Sequence, residues 1–191
     1  MDGAGEKLSA RDRLLAAASE LFYEEGINTV GIDRVIAHAG VAKASLYTAF
    51  GSKEELIRSY LEAQFETRKQ RLLEWIAQHD APRDKLLSIF DFMGEMFEKT
   101  SFRGCAFIRA SAEARPDSSI AAEADKSRAW TRSVFVDLAR QAGAREPEQL
   151  AKQLALLYDG AIVTAQMDRD VGAAKAARAM AASLLDAAIK P

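Results

Sequence analysis

Histidine and cysteine are almost missing from this chain, which has two of the first and one of the second. A single thiol, Cys105, excludes an intrachain disulfide framework and a cysteine-rich zinc site. Neither His38 nor His79 has the spacing to partners that a metal site or a nucleophile-base pair needs. Paired acids and a glycine-rich phosphate loop are missing too, which weighs against an enzyme. Only four prolines occur in 191 residues, and runs of β-branched residues are few, so strands have little room. There is no basic excess either: 26 Lys and Arg against 28 Asp and Glu give a net charge of −2. Any nucleic-acid function must therefore rest on local charge. No stretch approaches the roughly 18 apolar residues of a membrane span. Met1 to Asp12 is polar, without the apolar core of a signal peptide. These absences point to a cytoplasmic protein with no membrane, metal or cofactor requirement.

What is present is helical periodicity, in a chain that is 49% hydrophobic and 28% charged. Leu14, Leu15, Ala18, Leu21 and Phe22 lie on one face of a first helix, with Ser9 as its cap and Gly26 as its stop. Ile32, Val35, Ile36 and Ala39 form the face of a second, ended by Gly40, and a short third starts near Ala42. Ser52-Lys53-Glu54-Glu55 has the form of a capping box, which opens a long fourth helix. A fifth, with Leu86, Ile89, Phe90, Met93, Met96 and Phe97, is apolar nearly all round and belongs in an interior. A sixth runs from Cys105 to about Glu113. A seventh carries Trp130, Val134, Phe135 and Leu138, and an eighth starts near Pro147. A ninth, about Gly172 to Ile189, has alanine at nine of the positions 173–188. The fold class is all-α with about nine helices. It divides into an N-terminal three-helix domain over residues 1–52 and a larger helical domain over 53–191.

The tight turn at Ala39-Gly40-Val41 suits the steep angle of a helix-turn-helix. Residues 1–60 hold seven Lys or Arg against nine Asp or Glu, yet Arg34 through Lys53 contains no carboxylate. Such a window can approach phosphates without repulsion.

Residues 10–60 resemble the N-terminal domain of the TetR/AcrR family of bacterial one-component repressors. The matching elements are Leu21-Phe22, Gly26, Thr29, Ala39-Gly40-Val41, Leu46-Tyr47, Phe50 and Ser52-Lys53-Glu54-Glu55-Leu56. "FRGCAFIRASAE" and "LALLYDGAIV" resemble parts of C-terminal domains in one branch. The resemblance implies that Thr29 caps the second helix and touches a phosphate. It implies that Lys43, Ala44, Ser45 and Thr48 face the major groove, that Tyr47 and Lys53 hold the DNA backbone, and that Val41, Leu46 and Phe50 seat the helix. Two positions depart from the family, which usually has serine at Ala42 and glycine at Ala44.

The expected partners are a double-stranded DNA operator, a small-molecule effector and a second copy of the chain. The resemblance implies a ligand cavity, for which Trp75, Phe90, Met93, Phe97, Phe107 and Trp130 are the candidate lining. Arg109, Glu113, Asp159 and Gln166 are the polar side chains available as anchors. The small side chains of the ninth helix suit close helix contact. They place a homodimer interface on Leu154, Leu157, Tyr158, Ala161, Ala165, Ala177, Met180 and Leu184. The expected function is a ligand-released repressor on a pseudo-palindromic operator. The alternatives are an activator, a DNA-binding protein without ligand control, and an α-helical enzyme or carrier that uses the aromatic cavity.

Overall fold

The computed structural model describes residues 8–189. Residues 1–7 and 190–191, which include part of the polar segment considered for a signal peptide, lie outside the described residues. Among the described residues nine α-helices follow one another. They are α1 (Ala10–Glu25), α2 (Ile32–Ala39), α3 (Lys43–Phe50), α4 (Lys53–Ile76), α5 (Pro82–Phe97), α6 (Ala106–Glu113), α7 (Ser119–Gln141), α8 (Pro147–Asp168) and α9 (Ala173–Ala188). No described helix is long and apolar enough to cross a membrane.

Local chemistry explains most of the boundaries. Ser9 Oγ accepts from the Asp12 amide at 3.1 Å and caps α1. Gly26 ends α1 at φ +98° while its amide bonds Phe22 O, and Gly40 ends α2 in the left-handed region. Ser52 Oγ accepts from the Glu55 amide at 3.1 Å. The Glu55 carboxylate is taken up by Arg58 Nε at 2.8 Å rather than closing the box. Proline stands at the starts of α5 and α8, where its missing N–H costs nothing.

One expectation fails here. Thr29 does not cap α2, because Gly31 is the N-cap residue and no side chain caps it. Thr29 lies in the turn before it, where Val30 N bonds Gly26 O. A side chain two residues ahead of the N-cap does not have the geometry to accept from the first free amides.

The described residues divide into two compact units, and the division falls within α4 and within α7. The first unit holds residues 8–64 and Ala106–Ala124, so it extends past residue 52. Leu56, Ile57, Tyr60 and Leu61 of α4 are buried in it, together with Leu14, Ala18, Phe22, Val35 and Leu46. The Phe22 and Tyr60 rings meet edge to face at 5.7 Å. From α6, Arg109 donates to Tyr23 O at 2.5 Å and Glu113 accepts from the Asn28 amide at 2.9 Å. These two side chains hold the end of α1 and the following turn, and are not free to anchor a ligand.

The second unit holds Phe65–Cys105 and residues 125–189. Within it α5 packs on α9, and α8 on both. Residues 86–90 of α5 are all buried, as an all-round apolar helix requires. The α8 face formed by Leu150, Leu154, Tyr158, Ala161 and Ala165 is also buried in this core, as is Ala177 of α9. Of the residues expected at a dimer interface, Leu154, Tyr158, Ala161, Ala165 and Ala177 are covered by their own chain. Leu157 and Leu184 are half-buried, and Met180 is exposed. A different apolar stripe faces outward on α8, with Leu156 72% and Met167 76% exposed and Val163 between them. Met180, 58% exposed, is the large apolar side chain that α9 turns outward.

Candidate nucleic-acid interface

In the first unit α1 packs on α2 and α3, and α2 touches α3. The bend between α2 and α3 turns on Gly40, whose φ of +62° most side chains resist. Arg13 of α1 donates to Gly40 O at 2.8 Å. A Cβ at Gly40 would stand only 2.7 Å from that same guanidinium. Glycine is favoured here by the backbone angle, and a side chain would also have to displace the end of the arginine that clamps the turn.

Helix α3 is seated by Leu46 and Phe50, both buried, and by half-buried Val41. Arg11 covers the Phe50 ring at 5.0 Å. The opposite face is open: Lys43, Ala44, Tyr47 and Thr48 are exposed and recur at the helical spacing of one surface. Tyr47 is 47% exposed, so it is not a core aromatic. Ser45 and Lys53 are half-buried, and Thr29 is exposed in its turn. The structure therefore brings four of the seven expected DNA-binding residues onto one face of α3. Burial holds the Lys53 ammonium below the usual lysine range, against the pull of Glu113. No side chain caps α3, since Ala42 is its N-cap residue, and its first turn carries no acid.

Carboxylates reach this surface in space although the sequence window lacks them. Lys43 Nζ donates to Asp33 Oδ1 at 2.9 Å, and that bond holds the ammonium above the ordinary lysine value. Arg34 forks onto Glu25, with Nη2 at 2.6 Å from Oε1. His38 Nε2 lies 2.9 Å from Glu20 Oε2. Linear reading missed all three pairs because they join different helices. The available clue was Asp33 itself, one residue outside the acid-free window.

The expected ligand residues divide differently. Phe107 belongs to the first unit, and Trp75, Phe90, Met93, Phe97 and Trp130 to the second. Phe90 and Met93 are fully buried. Phe90 meets Phe135 at 6.2 Å, Phe97 meets Phe102 at 4.9 Å and Trp130 meets Phe65 at 5.6 Å. Trp75 Nε1 donates to Ser88 O at 2.9 Å. Phe90, Met93 and Phe97 are buried in this unit's interior, whereas Trp75 and Trp130 are half-buried. Asp159 pairs with Arg128 at 2.7 Å, and Gln166 lies over Gly104. A cleft of about 500 Å³ in this unit is lined by Arg145, Glu146, Gln149, Leu150, Gln153, Leu184, Ala187 and Ala188, none of them an expected ligand residue. Among the described residues no group of His, Cys, Asp and Glu could hold a metal ion.

Comparison with known proteins bears on this geometry. Residues 14–60 match the profile of bacterial regulatory proteins of the tetR family. The whole chain is similar to SCO4454, a TetR-family transcriptional regulator from Streptomyces coelicolor. The two are 27% identical over 95% of this chain and 96% of that one, with a TM-score of 0.90. A candidate TetR transcriptional regulator of Streptomyces avermitilis, sav143, is 30% identical over 95% of this chain and 98% of that one, with a TM-score of 0.87. The HTH-type transcriptional repressor NemR of Escherichia coli is 29% identical over 54% of this chain, and the match spans 53% of that protein, about half its length.

Proposed function

The chain belongs to the TetR family of bacterial transcriptional regulators and is not an enzyme, and we propose that it is a cytoplasmic, homodimeric repressor that a small molecule releases from a pseudo-palindromic operator. The observation that carries this reading is the open face of α3, with Lys43, Ala44, Tyr47 and Thr48 exposed and the Gly40 turn clamped by Arg13. Ala44 and Thr48 offer small groups to base edges. Lys43, Tyr47 and Lys53 offer donors to phosphates, which supply most of the affinity. Ser45 and Thr29 flank that contact.

The copies would pair through the outward stripe of α8 and α9, with Leu157, Met180 and Leu184 contributing from the residues named from sequence. An effector would seat in the second unit among Trp75, Phe90, Met93, Phe97 and Trp130, where methionine re-packs readily.

Selection of bound duplexes from a random library, followed by footprinting, tests the DNA reading. The expected result is an enriched sequence with dyad symmetry whose half-sites lie about one turn apart, roughly 34–36 Å. Lys43→Ala and Lys53→Ala should each weaken binding to that sequence with an unchanged melting temperature. Wild-type binding by both variants would put the wrong helix on the DNA.

A further inference from the structure

On this DNA-binding reading, the three carboxylates that meet basic side chains of α2 and α3 need an explanation. Arg34, His38 and Lys43 are each held by an acid, Glu25, Glu20 and Asp33 in turn. The pairs are not buried: Lys43 and Asp33 keep 60% and 84% of their side-chain surfaces in water. Exposed pairs of this kind contribute little to stability. They join different helices, so they are not helix-propagating pairs at i, i+4 spacing either.

Their effect is on the field that DNA meets. Sequence-independent affinity for DNA comes from cations that replace the counterions of phosphates. A carboxylate 2.9 Å from Lys43 Nζ lies well inside the screening length of about 8 Å at physiological salt. An arriving phosphate is therefore repelled almost as strongly as it is attracted. Lys43 is the first residue of α3, and Arg34 and His38 lie one turn apart on α2. The two permanent cations, Arg34 and Lys43, are thus neutralised by neighbouring acids. An ammonium or guanidinium leaves its carboxylate only where a phosphate or base edge replaces that bond in full, which a well-fitted site provides and an arbitrary one does not.

We propose that Asp33 and Glu25 are specificity-determining residues, which suppress binding to non-operator DNA more than binding to the operator. Discrimination of this kind comes from a repulsive element set against the wrong partner.

Fluorescence anisotropy of full-length protein on a random-sequence 30-base-pair duplex, and on the duplex enriched by selection, tests this. Asp33→Asn removes the carboxylate and keeps its shape at an exposed site, and Glu25→Gln does the same for Arg34. One further phosphate contact adds about 0.9 to the salt slope. Each variant should therefore bind the random duplex about 5–10-fold more tightly at 0.1 M salt, given that slope. Binding to the selected duplex should rise less, so that the affinity ratio falls. Glu148→Gln, on α8 of the second unit beside Arg140, makes the same change in net charge outside the first unit and should alter neither affinity. Unchanged random-duplex binding in Asp33→Asn overturns the proposal, as does an equal gain on both duplexes or an equal gain in Glu148→Gln. A wild type that binds no duplex at low salt refutes the DNA reading itself.

Discussion

Asp159 shows how a single residue can oppose itself. Its carboxylate lies 2.7 Å from Arg128 on α7, and Arg132 pulls in the same direction. Burial outweighs both, and holds its pKa above the ordinary 3.8. A group raised in the folded state favours the fold below its unfolded value and loses that contribution as pH rises through the folded value. Compared with Asp159→Asn, the wild type should therefore be relatively most stable below pH 3.8 and should lose ground towards neutrality. Urea unfolding of both proteins across that range measures the gap. A gap that moves in favour of the wild type as pH rises would mean that Arg128 wins. At this scale the sequence is legible where chemistry is local. Ser9, Gly26, Gly40 and Ser52 act within three or four residues of themselves, and each occupies the cap or turn its type suggests. Thr29 was misassigned because the cap role came from resemblance, whereas the chain places Gly31 there.

At the scale of elements, periodicity reveals that a face is apolar but not what covers it. The stripe from Leu150 to Ala165 was the strongest on α8, and the monomer uses it for its own core. The weaker stripe of Leu156, Val163 and Met167 remains outside. All nine helices were readable because their stops are glycines, prolines and polar turns. The pairs Lys43–Asp33 and Arg34–Glu25 were not, because each needs the angle between two helices. Helix α5 carries a test of the interior. Met93 is fully buried with Phe90 one turn away. Met93→Trp in a rigid core should cost about 1–3 kcal/mol through overpacking, or about 2–4 °C of melting temperature per kcal/mol in a chain of this size. If the aromatic interior opens for an effector, the variant should instead melt as wild type, bind DNA as wild type and respond poorly to the inducer. Lower melting with unchanged induction would remove Met93 from the ligand site.

The whole molecule carries a net charge of −2, so in the proposed homodimer DNA affinity would come from two small reading heads held in register. With about eight to ten phosphates contacted by a dimer, binding should fall about 10³–10⁵-fold between 50 and 200 mM salt. In the proposed dimer that register depends on the interface, and the exposed stripe is the place where we propose to break it. Leu156, Val163 and Met167 on α8 and Met180 on α9 are the large apolar groups that these helices leave in water, while Ala161 and Ala177 are buried in the monomer's own core. Charged substitutions at the two sets should therefore fail differently. Leu156→Glu and Met180→Glu, at positions already exposed, should leave the helical content and the monomer fold intact. They should yield monomers by sedimentation and reduce operator affinity to that of a single head. Ala161→Glu forces a carboxylate into a packed interior and should lower the melting temperature sharply, because an unpaired buried charge costs several kcal/mol. Folded dimers in both Leu156→Glu and Met180→Glu would place the interface elsewhere. A well-folded monomer from Ala161→Glu would show instead that the alanine stripe meets the partner after all.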